Sequence, residues 1–276
     1  MIKHCLLPVA GYGTRFFPIT KAIPKEMLPI LNKPLIQYSV EEANISELKQ
    51  IIFVTSKTKK SIYEYFQHNE NIEKITHSSS LSIKESIESL GNLINYSNFS
   101  FVYQEEMLGL GHAIFQGKHE IGNNPFAVIL PDDLCFNEGD SVLQQMIKIH
   151  SNYPDKSIIA IEEVSQDEVQ NYGIISGIEI EKNIFQVQNM IEKPEASFAP
   201  SNHAIIGRYI LQPEIFDAIN ETSKDLKGEI QITDALMKLA IQNKVLAYKY
   251  QGRRIDCGTP EGFVRANNFF IQKLKA

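Results

Sequence analysis

A glycine-containing loop with two cations close to it stands near the start of the chain. An apolar run, Cys5 to Val9, predicts a buried strand that leads into Ala10-Gly11-Tyr12-Gly13-Thr14-Arg15, and Lys25 follows ten residues later. Glycines let main-chain N–H groups approach a ligand closely. Because backbone donors and cations together bind polyanions, the sequence predicts a polyphosphate site here.

The two commonest phosphate motifs do not explain this loop. The dinucleotide fingerprint has a third glycine three residues after the second, where this chain has Phe16. The chain also has no Gly-x4-Gly-Lys-Ser/Thr loop. A plain turn between a strand and a helix remains the alternative interpretation.

Carboxylates follow two of the strand-like runs. Asp132 and Asp133 come after the apolar run Phe126–Leu130 and Pro131. Mg²⁺ prefers one or two carboxylates together with phosphate oxygens, so this pair indicates a magnesium site. The alternative is a pair of residues that caps the next turn. Asp256, in a second strand-like run, is either a metal ligand or part of the first turn of a helix.

Glu192 and Lys193 end another strand-like run, just before Pro194. Neighbouring strand residues point to opposite faces, so these two need not pair with each other. One could contact a sugar hydroxyl and the other a phosphate, although an ordinary charged turn would have the same sequence. Tyr172-Gly173 suggests a close approach of the backbone to a ligand, or simply the start of a hairpin.

Gln104 lies between a predicted strand and a predicted helix. Its amide group carries both a donor and an acceptor, which suits recognition of a base edge. Gly109 and Gly111 would let the backbone approach a flat ring. His112 follows directly, and at the start of a helix it is interpreted as a structural residue rather than as a catalyst.

The elements that position these residues alternate between strand and helix. Alternation in the first 165 residues predicts right-handed βαβ units and a mostly parallel sheet flanked by helices. Such sheets bind ligands at the carboxyl ends of their strands, where Ala10–Arg15, Gln104–Gly111 and Pro131–Asp133 would all lie. Residues 172–191 predict an inserted antiparallel pair of strands, and Pro260–Leu274 predicts a C-terminal helix. We therefore expect a Rossmann-like α/β fold.

Strand predictions cover Ile2–Val9, Gln50–Thr55, Phe99–Tyr103, Phe126–Leu130, Ser157–Glu162, Tyr172–Ile180, Ile184–Ile191, Val245–Tyr250 and Arg254–Cys257. Ala204–Leu211 is a further apolar run. Because no clean linker occurs, we expect one domain over residues 1–276. Its nucleotide-binding part would span about 1–165, its sugar-phosphate part about 166–259, and its C-terminal helix about 260–276.

Composition excludes several classes of protein. The 276 residues carry a net charge of −6, which argues against a general nucleic-acid binder. The three cysteines are widely spaced and have no zinc-ligand spacing, as expected of reduced thiols in the cytoplasm. The sequence shows no signal peptide, and no apolar run is long enough to cross a bilayer, so we expect no membrane association.

Eight motifs, in order over nearly the whole chain, resemble the bacterial UDP-glucose pyrophosphorylases, a family of sugar-phosphate nucleotidylyltransferases. These motifs are Ala10-Gly11-x-Gly13-Thr14-Arg15, Lys21-Ala22-x-Pro24-Lys25-Glu26-Met27-Leu28-Pro29, Lys33-Pro34-Leu35-Ile36-Gln37-Tyr38, Gly109-Leu110-Gly111-His112-Ala113, Leu130-Pro131-Asp132-Asp133, Glu192-Lys193-Pro194, Gly228-Glu229-Ile230-Gln231 and Asp256-Cys257-Gly258.

The resemblance implies Mg²⁺-dependent transfer of UMP from UTP to glucose 1-phosphate, which gives UDP-glucose and pyrophosphate. It also implies a homodimer or homotetramer. By position, the resemblance assigns the nucleotide loop to Ala10, Gly11 and Gly13, the leaving pyrophosphate to Arg15 and Lys25, uracil to Gln104 and Gly109, Mg²⁺ to Asp132 and Asp256, and glucose with its phosphate to Gly173, Glu192 and Lys193.

Three other functions are weighed against this one. A thymidylyl or other sugar-1-phosphate enzyme would share the same residue types. An NAD-dependent dehydrogenase would need the missing third glycine and an acid after the second strand, where Thr55-Ser56-Lys57 stands. A non-catalytic sensor would have lost Arg15, Lys25 or the Asp pair, and all of these are present.

Overall fold

A computed structural model describes residues 2–69, 72 and 80–275. The strands are β1 (His4–Pro8), β2 (Pro29–Ile30), β3 (Lys33–Pro34), β4 (Gln50–Thr55), β5 (Asn98–Tyr103), β6 (Phe126–Ile129), β7 (Asp133–Phe136), β8 (Ser157–Glu163), β9 (Gly173–Glu181), β10 (Ile184–Glu192), β11 (His203–Leu211), β12 (Val245–Lys249) and β13 (Arg253–Asp256). The helices are α1 (Leu35–Ile45), α2 (Lys60–Tyr65), α3 (Leu81–Tyr96), α4 (Gly109–Gln116), α5 (Lys118–Ile121), α6 (Val142–Asn152), α7 (Ile215–Asn220), α8 (Ile232–Ile241) and α9 (Pro260–Lys275).

Nine strands form one sheet in the order β5-β4-β1-β6-β11-β8-β12-β10-β9. The strands β5, β4, β1 and β6 run parallel, as do β8 and β12. The hairpin of β9 and β10 is antiparallel, as its sequence predicts. Together with the helices, this arrangement confirms the predicted α/β fold class.

The sheet is more mixed than strand–helix alternation indicates, because β11 lies between β6 and β8 and runs antiparallel to both. The run Ala204–Leu211 is buried on both faces, and a continuous apolar run carries no information about strand direction.

The core lies on both faces of this sheet. Cys5, Leu6 and Leu7 of β1 are fully buried, and alternate residues of the strand contribute to different apolar clusters. Helix α6 begins with a capping box in which Ser141 and Gln144 satisfy each other's backbone N–H groups. Burial on both faces explains why β1 has a continuous apolar sequence rather than an alternating one.

Two small sheets complete the fold. The pair β7 and β13 is antiparallel and sets Asp133 opposite Asp256, so it joins the two predicted carboxylate segments.

Among the described residues, no helix combines the length and the apolar character that crossing a membrane requires. All three cysteines are unpaired, and two of them, Cys5 and Cys257, are buried as expected.

Candidate active site

A cavity of about 370 Å³ opens at the carboxyl end of the parallel strands. The five predicted nucleotide-binding residues all contribute to its wall: Ala10, Gly11, Gly13, Gln104 and Gly109. The strands deliver them there because β1 ends at Pro8 and β5 ends at Tyr103. Residues from two distant segments therefore surround one hollow, as the strand assignments predict.

Two glycines of the loop serve different purposes. Gly13 has a φ of +63°, and a Cβ there would lie 3.3 Å from the Cβ of Lys25, so the turn itself requires glycine. A Cβ on Gly11 would meet nothing within 4 Å. Gly11 thus leaves open space beside the cavity, which suits close approach of a ligand.

Internal packing explains Gly109 and Gly111 more directly than contact with a flat ring does. A Cβ on Gly109 would lie 2.9 Å from the Cβ of Glu229, and one on Gly111 would lie 2.7 Å from the carbonyl oxygen of Ile230. The Gly111 N–H donates to that same oxygen at 2.9 Å. These glycines join the first turn of α4 to residues 229–230, and Glu229 also lines the cavity.

Charged residues from three segments meet around Gly258. A Cβ on Gly258 would lie 2.9 Å from Asp256 Oδ1, 3.3 Å from Asp132 Oδ2 and 3.4 Å from Arg15 Nη1. Lys25 Nζ lies 2.6 Å from the same Asp132 oxygen. Since the Lys25 side chain would also lie within 3.4 Å of a Cβ on Gly13, which lines the cavity, this group of charges adjoins the cavity.

The ion pair of Lys25 and Asp132 shifts the pKa of both groups. Burial alone would raise the pKa of Asp132, but Lys25 outweighs it and holds that pKa below its usual value. Burial opposes the charge of Lys25 in the same way, yet Asp132 and Glu26 raise its pKa overall. Both groups are therefore charged near neutral pH.

Asp133 differs from its neighbour Asp132. Its Oδ1 accepts from Arg254 Nη1 at 2.6 Å, and its Oδ2 accepts from the Gly207 N–H at 2.7 Å. Both oxygens are committed to protein donors. Asp133 thus anchors β7, and Asp132 and Asp256 remain as the carboxylates open to a cation.

Asp132 and Asp256 fit a hard divalent cation. The low pKa of Asp132 keeps it ionised, and glycine at 258 leaves space between the two carboxylates. In the described part of the chain, no cluster of three or more acidic, histidine or cysteine ligands occurs. Two carboxylates suit Mg²⁺, which takes its remaining ligands from phosphates and water.

Gly173, Glu192 and Lys193 form a second group at the end of the β9–β10 hairpin. Gly173 pairs with Glu192 in the strand register, and a Cβ on Gly173 would lie 3.2 Å from Glu192 Oε2. Lys193 Nζ lies 2.9 Å from Glu192 Oε1. Strand alternation did not require Glu192 and Lys193 to pair, and the structure shows that they do. The reason is that β10 ends at Glu192 and Lys193 takes a left-handed φ of +46°, so strand alternation stops there.

Arg254 connects the two groups. Besides Asp133, it contacts Glu162 through Nε at 2.6 Å and the Tyr172 hydroxyl through Nη2 at 2.9 Å. Tyr172 in turn accepts from the Lys193 N–H through its carbonyl oxygen at 2.9 Å. One guanidinium thus links the neighbour of Asp132 to the segment that carries Gly173 and Lys193.

Sequence reasoning missed Thr233 and Lys59. The Thr233 hydroxyl donates to Glu192 Oε2 at 2.6 Å. The sequence feature that could have indicated it is a single hydroxyl residue among the largely apolar residues of α8. Lys59 Nζ donates to the Val9 carbonyl at 2.6 Å and to Glu26 Oε2 at 2.8 Å. Lys59 gave no signal because it stands in a run of polar residues that is typical of an exposed turn.

The chain is similar to known proteins over nearly its whole length. The model of a family described as nucleotidyl transferase matches residues 6–273. The chain therefore belongs to the nucleotidyl transferase family.

The similarity extends to particular members. A UTP–glucose-1-phosphate uridylyltransferase of Pseudomonas aeruginosa is 52% identical over 276 residues, which cover 99% of this chain and 98% of that protein. A crystal structure of UDP-glucose pyrophosphorylase complexed with UDP-glucose has a TM-score of 0.92 at 48% identity, with coverage of 99% of this chain and 100% of that one.

A UTP-bound enzyme from Acinetobacter baumannii has a TM-score of 0.85 at 36% identity, over 98% of this chain and 93% of that one. The chain thus falls among the UTP–glucose-1-phosphate uridylyltransferases, which confirms the family resemblance of its motifs.

Proposed function

We propose that this protein transfers UMP from UTP to glucose 1-phosphate, with release of pyrophosphate and with Mg²⁺ as cofactor. The observation that carries the proposal is the meeting of Arg15, Lys25, Asp132 and Asp256 beside the glycine-lined cavity. The names of the relatives supply the identity of the two substrates.

In the proposed reaction, a phosphate oxygen of glucose 1-phosphate attacks the α-phosphorus of UTP. The bond from that phosphorus to the oxygen of the β-phosphate breaks, and its electron pair leaves with pyrophosphate. The attacking oxygen is already anionic, so no general base is needed. The remaining task is to hold two polyanions in line and to stabilise the charge that develops.

Each group of residues has a part in this task. Ala10, Gly11 and Gly13 would hold the nucleotide phosphates through backbone N–H groups. Arg15 and Lys25 would stabilise the departing pyrophosphate.

At the other end of the site, Glu192 and Gly173 would contact the sugar, and Lys193 would contact its phosphate. Asp132 and Asp256 would hold Mg²⁺, which when bound neutralises phosphate charge.

A pyrophosphate-release assay tests the proposal. Each of UTP, dTTP, CTP and GTP is combined with each of several sugar 1-phosphates. We expect UTP with glucose 1-phosphate to give the highest kcat/KM, and omission of Mg²⁺ to abolish turnover. A higher kcat/KM with another nucleoside triphosphate or another sugar 1-phosphate would overturn the substrate assignment.

Asp132→Asn tests the site in the same assay. By analogy with the loss of one electrostatic contact to a transition state, it should lower kcat by about 10²–10³. The matched control is Asp140→Asn, which removes an exposed carboxylate that pairs with Lys148 and should leave the rate unchanged. An active Asp132→Asn variant would reject the role of Asp132.

We propose two further properties, a cellular location and an assembly state. The unpaired thiols suit a cytoplasmic location.

Val264, Ile271 and Leu274 are exposed along α9, which suits assembly into a homodimer or homotetramer. Light scattering should give a mass at least twice that of one chain, and a monomer would reject the assembly.

A further inference from the structure

His112 lies between two side-chain amides, behind the wall of the nucleotide cavity. Its Nδ1 is 2.9 Å from Gln104 Nε2, and its Nε2 is 3.0 Å from Nε2 of Gln116, one turn further along α4. Gln104 is itself a wall residue and is only 4% exposed. The imidazole therefore contacts an amide that lines the cavity.

The hydrogen bonds of Gln104 fix which end of its amide faces His112. Gln104 Nε2 also lies 3.4 Å from the carbonyl oxygen of Gly109, which can only accept. Its two N–H groups thus have two acceptors, the Gly109 oxygen and His112 Nδ1. A reversed amide would set two acceptors against each other at a site with little access to water.

A neutral imidazole accepts at one nitrogen and donates at the other. Because Nδ1 accepts from Gln104, the proton of His112 is on Nε2. That N–H then donates to Gln116, whose amide must be reversed to present Oε1, and this gives up the 3.4 Å contact of Gln116 Nε2 with the His112 carbonyl oxygen. The loss is small because that oxygen already accepts from the helix backbone and Gln116 is only half-buried. The orientation of a glutamine amide is assigned from its partners, and here the more deeply buried amide, that of Gln104, sets the direction.

The remaining polar atom of Gln104 is Oε1. Among the described residues, no donor pairs with it, and it is not enclosed as a buried atom. An acceptor on the cavity wall matches the N3–H donor of uracil. Cytosine has an acceptor at N3, so the same amide orientation opposes it.

We infer that His112 is a specificity-determining positioning residue, which holds Gln104 Oε1 toward the base and thereby selects uracil over cytosine. This inference rests on the proposed uridylyl transfer. It assigns His112 no contact with the substrate and no role as an acid or a base. Thymine has the same N3–H, so His112 does not separate UTP from dTTP.

The first test is the ratio of kcat/KM for UTP to that for CTP, measured within each variant. In His112→Leu, which has no acceptor for Gln104, this ratio should fall by about 10-fold or more. The ratio for UTP to dTTP should stay within about 2-fold, because both bases have the same edge. An unchanged UTP-to-CTP ratio would overturn the inference.

A rescue variant separates orientation from packing. In His112→Asp the carboxylate can only accept, so it should hold Gln104 in the same orientation and keep the UTP-to-CTP ratio within about 3-fold of the wild-type value. A fall equal to that of His112→Leu would contradict the inference. A ratio within one variant does not depend on the fraction of protein that is folded.

A second test uses the unaltered protein. Nitrogen NMR of isotope-labelled histidine should show Nε2 of His112 protonated and Nδ1 unprotonated near neutral pH, with the signal assigned by its loss in His112→Leu. A proton on Nδ1 would overturn the inference. If the wild-type protein fails to use UTP at all, the proposed function fails instead, so the two failures are distinguishable.

Discussion

Two layers of ion pairs at the carboxyl edge of the sheet differ in their access to solvent. The rim pairs are Lys25–Asp132 and Lys193–Glu192, with side chains that are 22–49% exposed. The support pairs are Lys59–Glu26, Arg208–Glu42 and Arg254–Asp133, with side chains that are 1–14% exposed. The rim pairs can meet a substrate, whereas the support pairs are largely enclosed by protein.

Each support cation holds a group close to a residue of the site. Lys59 binds the Val9 carbonyl just before the glycine loop, and Arg208 binds the Leu130 carbonyl just before Pro131 and Asp132. Arg254 binds Asp133. We therefore propose two different roles: the rim charges act on the substrate, and the buried charges fix the loops that carry them.

The largest expected effect is on stability, at Arg208. Arg208→Met leaves Glu42 buried without its partner, which should lower the free energy of unfolding by about 3–5 kcal/mol. Urea unfolding measures this loss. The double variant Arg208→Met with Glu42→Leu should recover most of it, since two apolar residues can replace a buried pair. A single variant as stable as the wild type would remove the distinction between the layers.

A rim residue should show the opposite behaviour. Lys193→Met should raise the barrier by about 2.7–4 kcal/mol, because one cation for transition-state charge is lost. The Lys193 side chain in its pair with Glu192 is about half exposed, so the free energy of unfolding should change by only about 0–1 kcal/mol. The two readouts are kcat and urea unfolding of the same preparation. A large loss of stability with an intact kcat would assign Lys193 to the support layer.

The pH dependence of the Lys25–Asp132 pair gives a smaller effect. The pKa of Asp132 lies below its usual 3.8, so its stabilisation is full above pH 3.8 and is lost as the pH falls through the folded-state pKa. The pKa of Lys25 lies above 10.5, so its stabilisation is full below pH 10.5 and is lost as the pH rises through the raised value.

Unfolding of wild type and Asp132→Asn, compared across pH, measures this contribution. The free energy of unfolding of the wild type should exceed that of Asp132→Asn by about 1 kcal/mol or less. This difference should be constant from about pH 5 to 8 and smaller in stronger acid. A difference that grows on acidification would contradict the assigned sign.

The smallest effect is expected at Lys57 and Glu105, an exposed pair that joins the ends of β4 and β5. Lys57→Met should change neither the thermal midpoint nor kcat measurably, since exposed pairs contribute little. Thermal unfolding and the pyrophosphate assay check both. A clear fall in the thermal midpoint or in kcat would show that exposure to solvent does not distinguish residues that matter from residues that do not.

Sequence reasoning found the rim better than it found the support. Arg15 and Lys25 follow the glycine loop, and Asp132 and Asp256 stand at or near the ends of strand-like runs, which are positions with recognisable chemistry. Gln50–Thr55 was predicted with the same bounds as β4, because a strand buried on both faces has a continuous apolar sequence.

The support residues have no such local signal. Lys59 binds partners that are distant in the sequence, Val9 and Glu26, and only the fold reveals them. Arg208 did leave a signal, as a single charge within the apolar run Ala204–Leu211. A charge in a buried strand requires a partner, but no sequence pattern identified Glu42 as that partner.

The most direct test of the central claim follows the α-phosphorus of UTP. The protein is incubated with Mg²⁺, glucose 1-phosphate and UTP that is radiolabelled at the α-position. We expect the label in UDP-glucose, and none in pyrophosphate or inorganic phosphate. Label that remains in UTP, or that is released as UMP without transfer to the sugar phosphate, would contradict an account in which this rim joins the two substrates.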